Sequence, residues 1–111
     1  MIDKKQVETY WARIYMAGDI GQIETVCRKF CMSGLCVTVA PTKFIYTGGQ
    51  ESGAEVGLVN YPRFPSGPTD IDIKAEALAE RIMMDCQQLT ALVVTPDKTT
   101  WLSRKKEFEP K

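Results

Sequence analysis

Three prolines within seven residues, at positions 62, 65 and 68, constrain this 111-residue chain more than any other feature. Each fixes its own φ and removes a backbone donor, so neither a helix nor an interior strand can run through Tyr61–Thr69. Glycines at 48, 49, 53 and 57 come just before, where the chain is free to turn. The window from Tyr46 to Thr69 therefore reads as a loop system, stiff at its prolines, that holds Tyr61, Arg63 and Phe64 in a nearly fixed relation. It also divides the chain into two parts.

In the first part, Asp3 and Gln6 have the spacing of a capping box. Val7, Trp11, Ile14 and Gly18 then form one stripe of a helix, with Gly18 suited to its C-terminal cap. Asp19 and Gln22 repeat the device, and Ile20, Ile23, Val26, Cys27 and Phe30 mark a second helix closed by Gly34. Two capped helices joined this tightly predict an N-terminal helical hairpin. After Gly34 the period changes. LCVTV (35–39) and KFIYT (43–47) read as strands around a turn at Ala40-Pro41-Thr42, and EVGLVN (55–60) as a third strand.

Beyond the prolines, Asp70 or Asp72 caps a helix that carries Ala75, Leu78, Ala79, Ile82, Met83 and Cys86 on one face. Two strands follow, ALVVT (91–95) and TTWLS (99–103). The order α-α-β-β-β-α-β-β predicts an α+β fold: an antiparallel sheet of about five strands with helices on one face. Residues 1–106 are expected to form a single domain and residues 107–111 a frayed tail.

Charge and composition narrow the function. Fourteen basic residues balance fourteen acidic ones, against the basic excess of a nucleic-acid binder, so no nucleic-acid partner is expected. Apolar runs are too short for a membrane span, and MIDKKQVE lacks an apolar signal core. A cytoplasmic protein with reduced thiols is the expectation. Histidine is absent, which removes the commonest proton shuttle and nucleophile activator and lowers the expectation of catalysis.

Cys27, Cys31, Cys36 and Cys86 could be four metal ligands, but the first pair sits inside an amphipathic helix rather than on knuckles. Core thiols are expected instead, with no metal and no cofactor. Gly48–Gly53 lacks the lysine and following helix of a phosphate-binding loop and reads as a hairpin connection. Asp70 and Asp72 read as caps, and Glu51 and Glu55 bracket the glycines within reach of each other.

Arg63, between Pro62 and Phe64 with Tyr61 one residue earlier, is suited to stack on rings and donate a fork of hydrogen bonds to a carboxylate or phosphate. The alternative, that the two rings merely staple the loop to the core, stays open. Trp101 and Arg104 form a similar pair, and Tyr10, Trp11, Arg13 and Tyr15 another. Trp11, on the apolar stripe, is expected to face the core. Tyr10 and Tyr15, off that stripe, are expected at an interface.

The segments GAEVGLVNYPRFP (53–65) and ALVVTPDKTTWLSR (91–104) resemble short bacteriophage and prophage open reading frames. That resemblance implies an anti-defence protein that sequesters a small nucleotide signal or blocks a host protein. The resulting expectation is a non-enzymatic, homo-oligomeric binding protein using Tyr61, Arg63, Phe64, Trp101 and Arg104. Its partner would be a small nucleotide-like ligand or a host protein. Two alternatives accompany it: a dimeric adaptor for extended polypeptide, by likeness of element order to type III secretion chaperones, and a small enzyme without histidine.

Overall fold

The computed structural model describes residues 1–104. The expected frayed tail at 107–111 lies outside the described residues. Seven principal elements follow in order: β1 (Trp11–Ala17), α1 (Ile20–Phe30), β2 (Val37–Tyr46), β3 (Gly49–Val59), α2 (Pro68–Asp85), β4 (Thr90–Val94) and β5 (Thr99–Ser103). The five strands form one antiparallel sheet in the order β2-β3-β1-β4-β5, and the fold is α+β as expected.

One expected element is different in kind. Residues 3–18 do not form a helix, so there is no helical hairpin; residues 1–10 carry no regular structure and 11–17 are the central strand. The reason is the period. In WARIYMA, Ala12, Ile14 and Met16 are buried while Trp11, Arg13 and Tyr15 point to the other face. As a strand this segment pairs with both β3 and β4 and buries three side chains; a helix would have buried a single stripe.

A second difference lies in β2. Ala40-Pro41-Thr42 is no turn: residues 37–46 run as one strand, paired with β3 from Val37↔Leu58 to Tyr46↔Gly49. Proline is tolerated there because β2 is the edge of the sheet, with one side unpaired. The reversal comes at Thr47-Gly48, where Gly48 takes φ 82°.

Other boundaries follow from capping. The Gln22 N–H donates to Asp19 Oδ2 at 3.0 Å, as the spacing predicts, and Gly34 leaves the helical turn after α1 at φ 99°. The second helix starts earlier than expected. Pro68 occupies its first turn, and Asp70 Oδ2 accepts from the Gly67 N–H at 3.3 Å.

Both helices cover the same face of the sheet, over Ala12, Ile14, Val56, Leu58 and Val93. Ile23, Ile71, Leu78 and Ile82 are fully sequestered there, each contributing about 2 kcal/mol. The exposed pairs Arg28–Glu24 and Arg81–Asp85 contribute only about 0.3–0.5 kcal/mol each, so burial holds the helices down. Among the described residues no helix is long and apolar enough to cross a membrane.

Candidate functional site

The sheet face opposite the helices is left uncovered, and it gathers the chemistry. Register puts Trp11 beside Val59, Arg13 between Gly57 and Val94, and Tyr15 between Glu55 and Leu92. Leu92 in turn pairs with Trp101, so Tyr15 and Trp101 stand on either side of it in one row. Arg13 Nε lies 3.3 Å from Glu55 Oε1, and its guanidinium carbon sits 5.0 Å from the Trp11 ring centroid. Trp101 is 60% exposed. The face therefore offers rings flanking a cation–carboxylate pair. Such a surface can stack a base, hold a zwitterion by both charges and receive a positive group against ring faces.

Gly57 belongs to this arrangement. A Cβ there would meet the Thr38 hydroxyl at 2.5 Å, so glycine lets the Thr38 side chain of β2 lie over β3 opposite Arg13.

The proline-braced loop is compact. Phe64 N donates to the Tyr61 carbonyl at 2.9 Å, closing a turn in which the two rings lie 6.3 Å apart at 30°. The Arg63 guanidinium is 5.7 Å from the Phe64 centroid. Asn60 anchors the turn: it is buried, its Nδ2 donates to Glu8 O and its Oδ1 accepts from Ser66 N, both at 2.7 Å. Tyr61, 42% exposed, lies two residues past the end of β3 and bridges to Phe64.

Of the residues expected at the site, Tyr61, Arg63 and Phe64 are thus brought together. Trp101 stands three strand positions from β3, roughly 14 Å away at about 4.8 Å per strand. Arg104 follows the far end of β5, where its Nη1 donates to Met83 O at 3.2 Å. The two tyrosines separate: Tyr15 is on the open face, whereas Tyr10 packs against the core. Trp11, expected in the core, is on the open face. Glu55 and its partner Arg13 were not paired by sequence reasoning. Strict alternation through WARIYMA is the signal that puts Arg13 beside Trp11 and Tyr15 on one face.

The thiols lie elsewhere. A groove of about 410 Å³ between α1 and β2 is lined by Glu24, Cys27, Arg28, Cys31, Cys36 and Val37, among others. Burial, with lesser help from neighbouring thiols and Glu24, pushes Cys27 up to about 11; burial likewise raises Cys31 and Cys86. These three are neutral near neutral pH and poor nucleophiles. The core-thiol expectation describes Cys27 and Cys86, but Cys36 is exposed.

No protein-family model matches this chain, and no curated protein matches its sequence. Solved structures do. The fold is similar to a phage SAM lyase in its apo state, with TM-score 0.73 and 13% identity over 95% of this chain and 98% of that one. It is also similar to a phage SAM lyase in complex with S-methyl-5′-thioadenosine, with TM-score 0.69 and 14% identity over 95% and 97%. This finding corrects the expectation of a non-enzymatic binding protein. Both of these solved structures are of lyases, so the shared fold does not favour a binding role over an enzyme.

Proposed function

We propose that this chain is a lyase acting on a sulfonium nucleoside of the S-adenosylmethionine class, releasing a neutral 5′-thioether nucleoside. The observation that carries the reading is the whole-chain likeness to a SAM lyase, seen both in the apo state and with S-methyl-5′-thioadenosine. The open face suits such a substrate. Tyr15, Trp101 and Trp11 supply ring surfaces for the adenine and the sulfonium, while Arg13 and Glu55 hold the α-carboxylate and α-ammonium. Tyr61, with Arg63 and Phe64 beside it, follows the end of β3 and closes on the nucleoside. Arg104 is assigned no contact with it.

The chemistry needs no histidine. In a lyase step the bond from the sulfonium to the side-chain carbon breaks, and its electron pair stays on sulfur, which becomes neutral. The substrate's own carboxylate oxygen can form the new bond to that carbon, closing a lactone without transfer of any proton. A cation and an anion are both discharged, so a surface that removes water from them favours the transition state over the bound substrate. This route suits a chain whose Glu55 is tied to Arg13.

The face is shallow, and self-association is part of the proposal: a second copy closes over the bound substrate. The likeness to phage SAM lyases supports a phage-encoded, anti-defence role, since removing a methyl donor would deprive every enzyme that needs it. Because that donor is intracellular, a cytoplasmic location is part of the proposal.

The test is incubation of the purified chain with S-adenosylmethionine, followed by chromatography and mass spectrometry. S-methyl-5′-thioadenosine should accumulate and the substrate disappear. No product and no thermal shift with S-methyl-5′-thioadenosine would refute the reading.

A further inference from the structure

The lyase chemistry makes no use of the four thiols, and two of them are neighbours at the surface. Cys31 and Cys36 both line the groove between α1 and β2, on either side of the bend that Gly34 makes at φ 99°. The bend is tight. The Cys31 carbonyl accepts from Gly34 N at 3.0 Å and from Leu35 N at 3.4 Å, so the chain folds back on Cys31 just before Cys36. The Cys31 thiol itself lies against the Val37 N–H, in the peptide unit that joins Cys36 to β2. Its sulfur therefore already touches the peptide that Cys36 begins, and bonding the two sulfurs asks only for movement within the bend. Both are free thiols: Cys36 is exposed and Cys31 half-buried, whereas Cys27 and Cys86 are buried.

We propose that Cys31 and Cys36 are a redox pair that closes reversibly to a disulfide when hydrogen peroxide reaches the groove. Exposed Cys36 reacts first. Its sulfur attacks one peroxide oxygen, the O–O bond breaks, and the other oxygen leaves with the thiol proton as water, so that Cys36 becomes a sulfenic acid. The Cys31 sulfur then attacks the Cys36 sulfur. The S–S bond forms, the S–O bond breaks, and the departing hydroxide takes the Cys31 proton as a second water. Two thiols together give up two electrons and two protons, and the peroxide is reduced by both. Burial keeps the Cys31 proton in place at rest, while the Val37 N–H favours the thiolate, so Cys31 reacts second, once an electrophilic sulfur stands beside it.

The pair lies away from the open sheet face, so its test is read on the thiols and is independent of turnover. Trypsin cuts after Lys29 and Lys43 and leaves Cys31 and Cys36 together in one peptide, FCMSGLCVTVAPTK (30–43), with Cys27 and Cys86 in two others. The folded full chain is treated with equimolar hydrogen peroxide, then denatured in N-ethylmaleimide and digested without reductant. The 30–43 peptide should carry no maleimide and be about 2 Da lighter than its dithiol form, while Cys27 and Cys86 stay labelled. Dithiothreitol given before the maleimide should restore both labels. Cys36→Ser should leave Cys31 fully labelled, and Cys31→Ser should leave a sulfenic acid on Cys36 that dimedone traps. A wild-type peptide that keeps both labels would overturn the proposal. So would a disulfide drawn from Cys27, from Cys86 or from a second chain, or a Cys36→Ser chain that loses the Cys31 label as fast as wild type.

Discussion

Gly53, opposite Ala17, is the last β3 residue paired with β1, and replacing it with alanine tests how tightly that junction is built. The added methyl would overlap the Met16 carbonyl oxygen and stand 2.7 Å from the Ala17 Cα and 2.8 Å from a Phe44 ring carbon. The ring can move, but the two β1 backbone atoms cannot swing aside. Relief requires parting β1 from β3 at Ala17↔Gly53, and with it the 3.0 Å hydrogen bond from Gly18 N to Ser52 O. A forced backbone shift costs about 1–3 kcal/mol and the lost hydrogen bond about 1 more, so roughly 3 kcal/mol together. At about 4–8 °C per kcal/mol for a domain near this size, the melting temperature should fall by at least about 12 °C. Gly49→Ala is the control. Its methyl meets only the Tyr46 side chain, which can turn away at the loss of its 3.1 Å bond to Glu51, a cost below about 1 kcal/mol. Differential scanning calorimetry and urea unfolding measure both. If Gly53→Ala lies within about 1 kcal/mol of wild type, or matches Gly49→Ala, the close approach of β1 and β3 does not exist as described.

Glu55→Gln keeps the shape of the side chain but removes the charge facing Arg13 and the substrate ammonium, and should lower kcat/KM for S-adenosylmethionine cleavage by about tenfold or more, read as product formation. The folded chain holds the Cys27 proton up to about 11, whereas the unfolded chain releases it near the ordinary 9.0. This contribution to stability is therefore intact below pH 9 and declines as pH rises toward 11; Cys27→Ala should show a shallower fall of melting temperature across that window. Asn60→Ala removes two side-chain hydrogen bonds from a buried position and should cost about 2 kcal/mol in urea unfolding.

The parts of the fold legible in the sequence were those fixed locally. The Asp19 cap, the left-handed Gly34 and the apolar face of α2 each depend on residues within a turn or two of one another. What was not legible depended on partners far away in the chain. The central strand reads as a helix until β3 and β4 are seen pairing with both its edges, and Pro41 reads as a turn until β2 is known to be the sheet's margin. The candidate site divides the same way. Tyr61, Arg63 and Phe64 are gathered by prolines next to them, whereas the Arg13–Glu55 pair joins residues forty-two positions apart and exists only through register.

Asn60 has a consequence beyond its own energy. Its backbone N–H bonds to the Tyr10 carbonyl, one side-chain atom holds Glu8 and the other Ser66, so a single amide fastens the leading segment and the Pro-rich bend to the same peg. Peeling the first ten residues away would loosen both at once. A bulky fusion placed ahead of Met1 would therefore tug on Tyr61 and Arg63 from behind, whereas the β2–β3 tip, secured only to itself, would not register the strain.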